Sequence, residues 1–148
     1  MITGEKTYNR KKMIKFLKDY FERREDVAFA FLFGSTVRNK IRKEGDIDVA
    51  IYFYPEKDIE WEAFGKRYKN ENNIGLELER FLKKDVDLIV LNRARAVLAD
   101  EIIRKGKPII IKDWGKFLDF FCLITDEAEY VRESLDRHYR ERKIESIR

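Results

Sequence analysis

One cysteine, one histidine, two prolines and no glutamine occur in a chain of 148 residues. Cys122 has no partner for an internal disulfide, and with His138 alone beside it the ligands of a zinc site are missing. No apolar run approaches the roughly 18 residues of a membrane helix, and Met1-Ile2-Thr3-Gly4 does not open a signal peptide, so a cytoplasmic protein is expected. Internal repeats, low-complexity stretches and interdomain linkers are absent too, which leaves a single domain over 1–148. What is present suits a packed core: 44% hydrophobic and 41% charged residues, with 11 Phe and 7 Tyr. The net charge of +4 is modest, and no nucleic-acid reader motif accompanies it.

Hydrophobic spacing divides the chain into alternating elements. Met13, Phe16, Leu17, Tyr20 and Phe21 recur at helical spacing, predicting an amphipathic helix over 7–24. Residues 27–33 read as a strand, 35–40 as a short helix, and 46–53 as a second strand stopped by Pro55. Trp61, Phe64 and Tyr68 suggest a helical piece, 70–75 a break, and Leu78, Phe81 and Leu82 a further helix. A third strand is expected over 86–91, a helix over 94–105 ended by Gly106, a short strand over 108–111, and a terminal helix over 114–142. The expected fold is therefore α/β (α+β), a small mixed sheet of about four strands with flanking helices.

The chemistry gathers at the end of the first strand. Gly34-Ser35 closes the apolar run 27–33, and ten residues later comes Asp46-Ile47-Asp48. Side chains alternate along a strand, so Asp46 and Asp48 share a face while Ile47 and Val49 take the other. Two such carboxylates suit a hard divalent ion such as Mg2+, which completes its shell with water and phosphate oxygens. Between turn and pair lie Arg38, Lys40, Arg42 and Lys43, either a polyphosphate contact or a solvated basic loop. Asp87 sits in the apolar run 86–91, where a carboxylate is costly without a partner. If the second and third strands are neighbours, Asp87 stands beside Asp46 and Asp48, a constellation for nucleotidyl transfer. The alternative for Asp87 is a strand-end carboxylate facing water, and Asp85 reads as a turn residue.

These residues resemble the DNA polymerase β nucleotidyltransferase superfamily, and the short chain with its terminal helix is most similar to the minimal nucleotidyltransferase (MNT) antitoxins that partner HEPN toxins. The resemblance implies a polymerase β-like fold and transfer of AMP from ATP to a hydroxyl, a tyrosine of the toxin, with two Mg2+ ions. It assigns Asp46, Asp48 and Asp87 as catalytic metal ligands, Gly34 and Ser35 as the triphosphate turn, and Arg38 as the basic residue steadying it. Asn39 replaces a glycine of the family pattern and tolerates the same left-handed backbone. Gly45 replaces the common serine, which removes a hydroxyl ligand. Two other readings stay open: a non-catalytic antitoxin that only binds its toxin, and a small-molecule nucleotidyltransferase of the aminoglycoside-modifying kind.

Phe117, Phe121, Ile124, Ala128, Val131, Leu135 and His138 form a seam along the terminal helix. Its first half, 114–124, is apolar nearly all round and is expected in the core. The second half either packs against the chain's own first helix or docks a HEPN toxin or a second copy. Arg132 and His138 match the spacing of the HEPN ribonuclease signature, but without the surrounding helices a solvated helix face is the expectation.

Overall fold

The computed structural model describes residues 10–34, 37 and 45–147. The expected short helix over 35–40, the residues Ser35 and Arg38, the basic segment that follows them, and the start of the first helix at 7–9 lie outside the described residues. The elements are α1 (Arg10–Glu22), β1 (Val27–Leu32), β2 (Ile47–Phe53), α2 (Glu71–Leu82), β3 (Val86–Val90), α3 (Ala96–Lys105), β4 (Lys107–Ile111) and α4 (Trp114–Ile147), with a 3-10 turn over Leu91–Arg93.

Both faces of β1 and β2 are apolar, so the sheet must be covered twice. Its strand order is β3-β2-β1-β4, with β1 antiparallel to β2 and β4 and with β2 parallel to β3. Val27, Ala30, Leu32, Ile47, Val49 and Ile51 pack on one face against Met13, Leu17 and Phe21 of α1 and Ile74 and Leu78 of α2. On the other face Phe29, Phe31, Ala50 and Tyr52 meet α3 and the first half of α4. Phe29 stacks on Tyr52 at 4.7 Å between centroids, and Phe117 and Phe120 close on them at 5.2 and 5.8 Å from Phe29. Each such buried ring contributes about 1.5–3 kcal/mol relative to exposure, which fixes the start of α4 on the sheet.

Three expectations are corrected. No helix forms around Trp61, Phe64 and Tyr68: residues 54–70 are irregular. Helical spacing there reflects anchoring rather than periodicity, since Ile59 and Trp61 pack on the second core face while Tyr68 stacks on Phe53. Glu60 receives hydrogen bonds from Lys66, from Tyr68 at 2.9 Å and from Asn92 at 3.4 Å. Asn92, fully buried, also bonds both backbone groups of Phe53 at 2.9 Å, which explains the 3-10 turn ahead of α3. The break expected over 70–75 is also absent, because α2 begins at Glu71 and runs through Gly75. Burial of Ile74, Leu78 and Leu82 outweighs the weak helix propensity of Asn72, Asn73 and Gly75.

The third correction concerns α4, which extends to Ile147 and lies on the opposite face of the sheet from α1. Its neighbour is α3. Asp100, 1% exposed, accepts bonds from Arg104 at 2.6 Å and Arg132 at 2.7 Å and ties the two helices together. Only one side of 114–124 is core, for Trp114 is 60% and Leu118 51% exposed. Phe120, Ile124 and Ala128 are buried, after which Leu135, at 63% exposure, and His138 stand in solvent. At the other end of α3, Gly106 approaches the Leu32 carbonyl so closely that a Cβ would lie 2.6 Å from it. That contact presses the helix end onto the end of β1.

Candidate active site

The carboxylates are positioned by the sheet ladder. In the parallel pairing of β2 and β3, Ile47 aligns with Val86, Asp48 with Asp87 and Val49 with Leu88. Partners in register point to the same face, so Asp48 and Asp87 stand side by side about 4.8 Å apart in strand spacing. Asp46 precedes Asp48 by two residues on the same face, and the Ile47 N–H, donating to the Asp85 carbonyl at 2.9 Å, continues the ladder to that point. The face is the one that carries Ala50 and Tyr52 further along β2. Asp46 and Asp87 are exposed and Asp48 is half-buried. The register thus places the three carboxylates that the sequence singled out on one face of two neighbouring strands.

On the other side of Asp48 lies the end of β1. The Phe33 N–H donates to the Asp48 carbonyl at 3.1 Å, so the two residues are cross-strand neighbours. Gly34 follows with φ of +64°, a left-handed backbone that favours glycine. A Cβ at Gly34 would sit 2.5 Å from Asp48 Oδ2. Glycine suits the position twice over: the left-handed turn favours it, and a Cβ there would displace the Asp48 carboxylate.

Clustered carboxylates repel, and a cation nearby offsets that cost. Lys84, half-buried before β3, is held below the usual lysine range by desolvation, while the Asp46 carboxylate opposes that shift. Sequence reasoning passed over Lys84; its only signal was the Lys83-Lys84 pair ahead of the strand that carries Asp87. Among the described residues no three acidic, His or Cys side chains converge on one point. The site is a row of hard oxygen donors rather than a closed cage. That donor set fits Mg2+, which takes one or two protein carboxylates and fills its shell with water and phosphate oxygens.

The remaining candidates separate cleanly. Ser35 and Arg38 fall outside the described residues, as do Asn39 and the basic segment. Arg132, the first residue of the ribonuclease-like spacing, is committed to Asp100, and His138 is exposed on α4. No helix among the described residues is long and apolar enough to cross a membrane.

Comparison with known proteins follows the same geometry. The family model described as "Polymerase beta, Nucleotidyltransferase" matches residues 15–114, which include β1, β2, β3 and all three carboxylates. The protein adenylyltransferase MntA of Shewanella oneidensis is 29% identical over 109 residues, 72% of this chain, and the match spans 66% of that protein's length. A chain from a toxin–antitoxin complex solved with AMP-PNP superposes with a TM-score of 0.64 at 21% identity, covering 90% of this chain and 98% of its own. A chain from the complex of tri-AMPylated Shewanella oneidensis HEPN toxin with MNT antitoxin gives a TM-score of 0.58 at 21% identity, covering 90% and 94%. The structural likenesses fix the fold. With the model matching more than half of the sequence across the strands that carry the site, the chain belongs to the polymerase β nucleotidyltransferase family.

Proposed function

We propose that this protein transfers AMP from ATP to a hydroxyl, a tyrosine of a partner HEPN toxin, and so acts as its antitoxin. The observation that carries the reading is the row formed by Asp48 and Asp87 in register, with Asp46 on the same face, at the Gly34 turn. The resemblance to MntA and to chains of HEPN toxin complexes supports the choice of donor and acceptor.

In this reading Gly34 and Ser35 receive the triphosphate, with Arg38 steadying its charge. Mg2+ held by Asp46, Asp48 and Asp87 would supply Lewis-acid stabilisation of the charge that develops on the phosphoryl oxygens. Asp87, on the edge strand, accepts the proton of the acceptor hydroxyl as that oxygen bonds to the α-phosphorus. The bond from the α-phosphorus to the bridging oxygen breaks, and pyrophosphate leaves. Lys84 offsets the negative charge around Asp46.

The test is transfer of label from α-labelled ATP to a co-purified HEPN partner. Asp46→Asn and Asp48→Asn each remove charge stabilisation worth several kcal/mol in the transition state, so label transfer falls by at least about a hundredfold while the fold persists. Undiminished labelling by either variant would remove these carboxylates from the mechanism.

A further inference from the structure

The strand order ends at β3, and no further strand pairs with its outer edge among the described residues. Its backbone groups divide by residue. In a parallel ladder every second residue turns its N–H and C=O toward the neighbouring strand, and the Asp85 carbonyl, which accepts from Ile47, shows that 85, 87 and 89 face β2. Val86 and Leu88 therefore direct theirs outward. Along the same edge, on the side of the sheet away from the carboxylates, α2 and β3 leave a groove of about 480 Å³ whose lining includes Gly75, Leu76, Glu79, Val86 and Leu88. Leu76 is 66% exposed, and a Cβ at Gly75 would meet nothing within 4 Å.

We propose that an extended segment of the partner, carrying the acceptor tyrosine, pairs with β3 as an added strand and sets that tyrosine opposite Asp87, an assignment that rests on the transfer reading above. Three observations carry it. The outward N–H and C=O groups of Val86 and Leu88 flank Asp87 on either side, the backbone pattern that strand addition uses. Residues opposite one another share a face, so a tyrosine at that point rises beside the Asp87 carboxylate, about 4.8 Å away in strand spacing, while its two neighbours in the segment turn toward Leu76, Val86 and Leu88. The charge of the groove complements such a segment. Of the charged lining, Glu71 is paired with Arg93, whereas Glu79 has no ion-pair partner among the described residues, so the groove suits apolar side chains with a basic one beside them. A second copy of this chain suits it less, because it would bring Asp85 and Asp87 of both chains to one short edge, where like charges repel. Main-chain pairing accepts many sequences, so the edge orients the segment rather than choosing it.

Gly75→Leu tests this without loosening the fold. Its side chain enters the open groove, and leucine is a better helix former than glycine, so the variant melts no lower than wild type. It keeps co-purification with a HEPN partner and its affinity for Mg-ATP, but loses at least tenfold in label transfer from α-labelled ATP. Hydrogen exchange, read residue by residue, gives a second measure: on formation of the complex the Val86 and Leu88 amides slow at least tenfold, while those of Asp87 and Ile89, which face β2, change little. Wild-type transfer by Gly75→Leu, or unslowed Val86 and Leu88 amides in a complex that transfers label, would overturn strand docking while the transfer reading stands. Protection of the same amides in a free chain that elutes as a dimer would also overturn it, by showing a second copy on the edge. No label transfer by the wild-type complex would take down both.

Discussion

Replacing Gly34 by alanine separates a folding cost from a chemical one. At φ of +64° an alanine pays about 1–2 kcal/mol for a left-handed backbone. Its Cβ would start 2.5 Å from Asp48 Oδ2, and ordinary contact begins at 3.4 Å, so the carboxylate must withdraw by about 0.9 Å, the difference of the two distances. A displacement of about 1 Å at a reacting centre costs on the order of a hundredfold in rate. Urea denaturation should therefore place Gly34→Ala about 1–2 kcal/mol below wild type, leaving the protein folded at 25 °C. Label transfer from α-labelled ATP, measured on that folded protein, should fall about a hundredfold. Wild-type transfer at reduced stability would refute the argument, because it would mean that the Asp48 carboxylate can leave the Gly34 turn without consequence.

Two other outcomes follow from features away from the turn. Burial pushes the Glu60 carboxyl up, but hydrogen bonds from Lys66, Tyr68 and Asn92 outweigh it and hold the group below its usual range. A depressed folded value means stability that is present above the unfolded value and lost as pH falls through the folded one, so in acid titrations followed by circular dichroism Glu60→Gln starts less stable and declines less steeply with falling pH. On α4, Leu135 is 63% exposed beyond the last fully buried position, Ala128; Leu135→Asp should change stability by no more than about 0.5 kcal/mol yet abolish co-purification with a HEPN partner, and unaltered co-purification would show that this stretch makes no contact.

Strands were the most legible part of the sequence, because β1 and β2 alternate or saturate with apolar residues and each ends at a glycine or proline signal. Asp46 and Asp48 could be placed on one face from spacing alone. Asp87 could be joined to them only through the register of β2 with β3, a long-range pairing that no local pattern encodes. The segment 54–70 misled because Trp61, Phe64 and Tyr68 sit at helical spacing while the chain there is pinned by Glu60 and Asn92. α2 misled in the opposite sense: Asn72, Asn73 and Gly75 suggest a turn, and tertiary burial of Ile74 and Leu78 overrides them. Lys84 meets Asp46 only through the pairing of strands distant in sequence.

Asp87 lies on β3, beside whose outer edge no further strand pairs among the described residues, and like Asp46 it faces solvent. An acceptor meeting carboxylates so openly placed is not sorted by enclosure. In the proposed reaction selection comes from tethering: a toxin docked elsewhere on the molecule would raise the local concentration of its own hydroxyl to the millimolar range, and free hydroxyl compounds of the same chemistry would fall behind by dilution alone. Substrate choice in such a site is a property of the complex, and it should vanish when docking is cut even though the reacting groups are untouched.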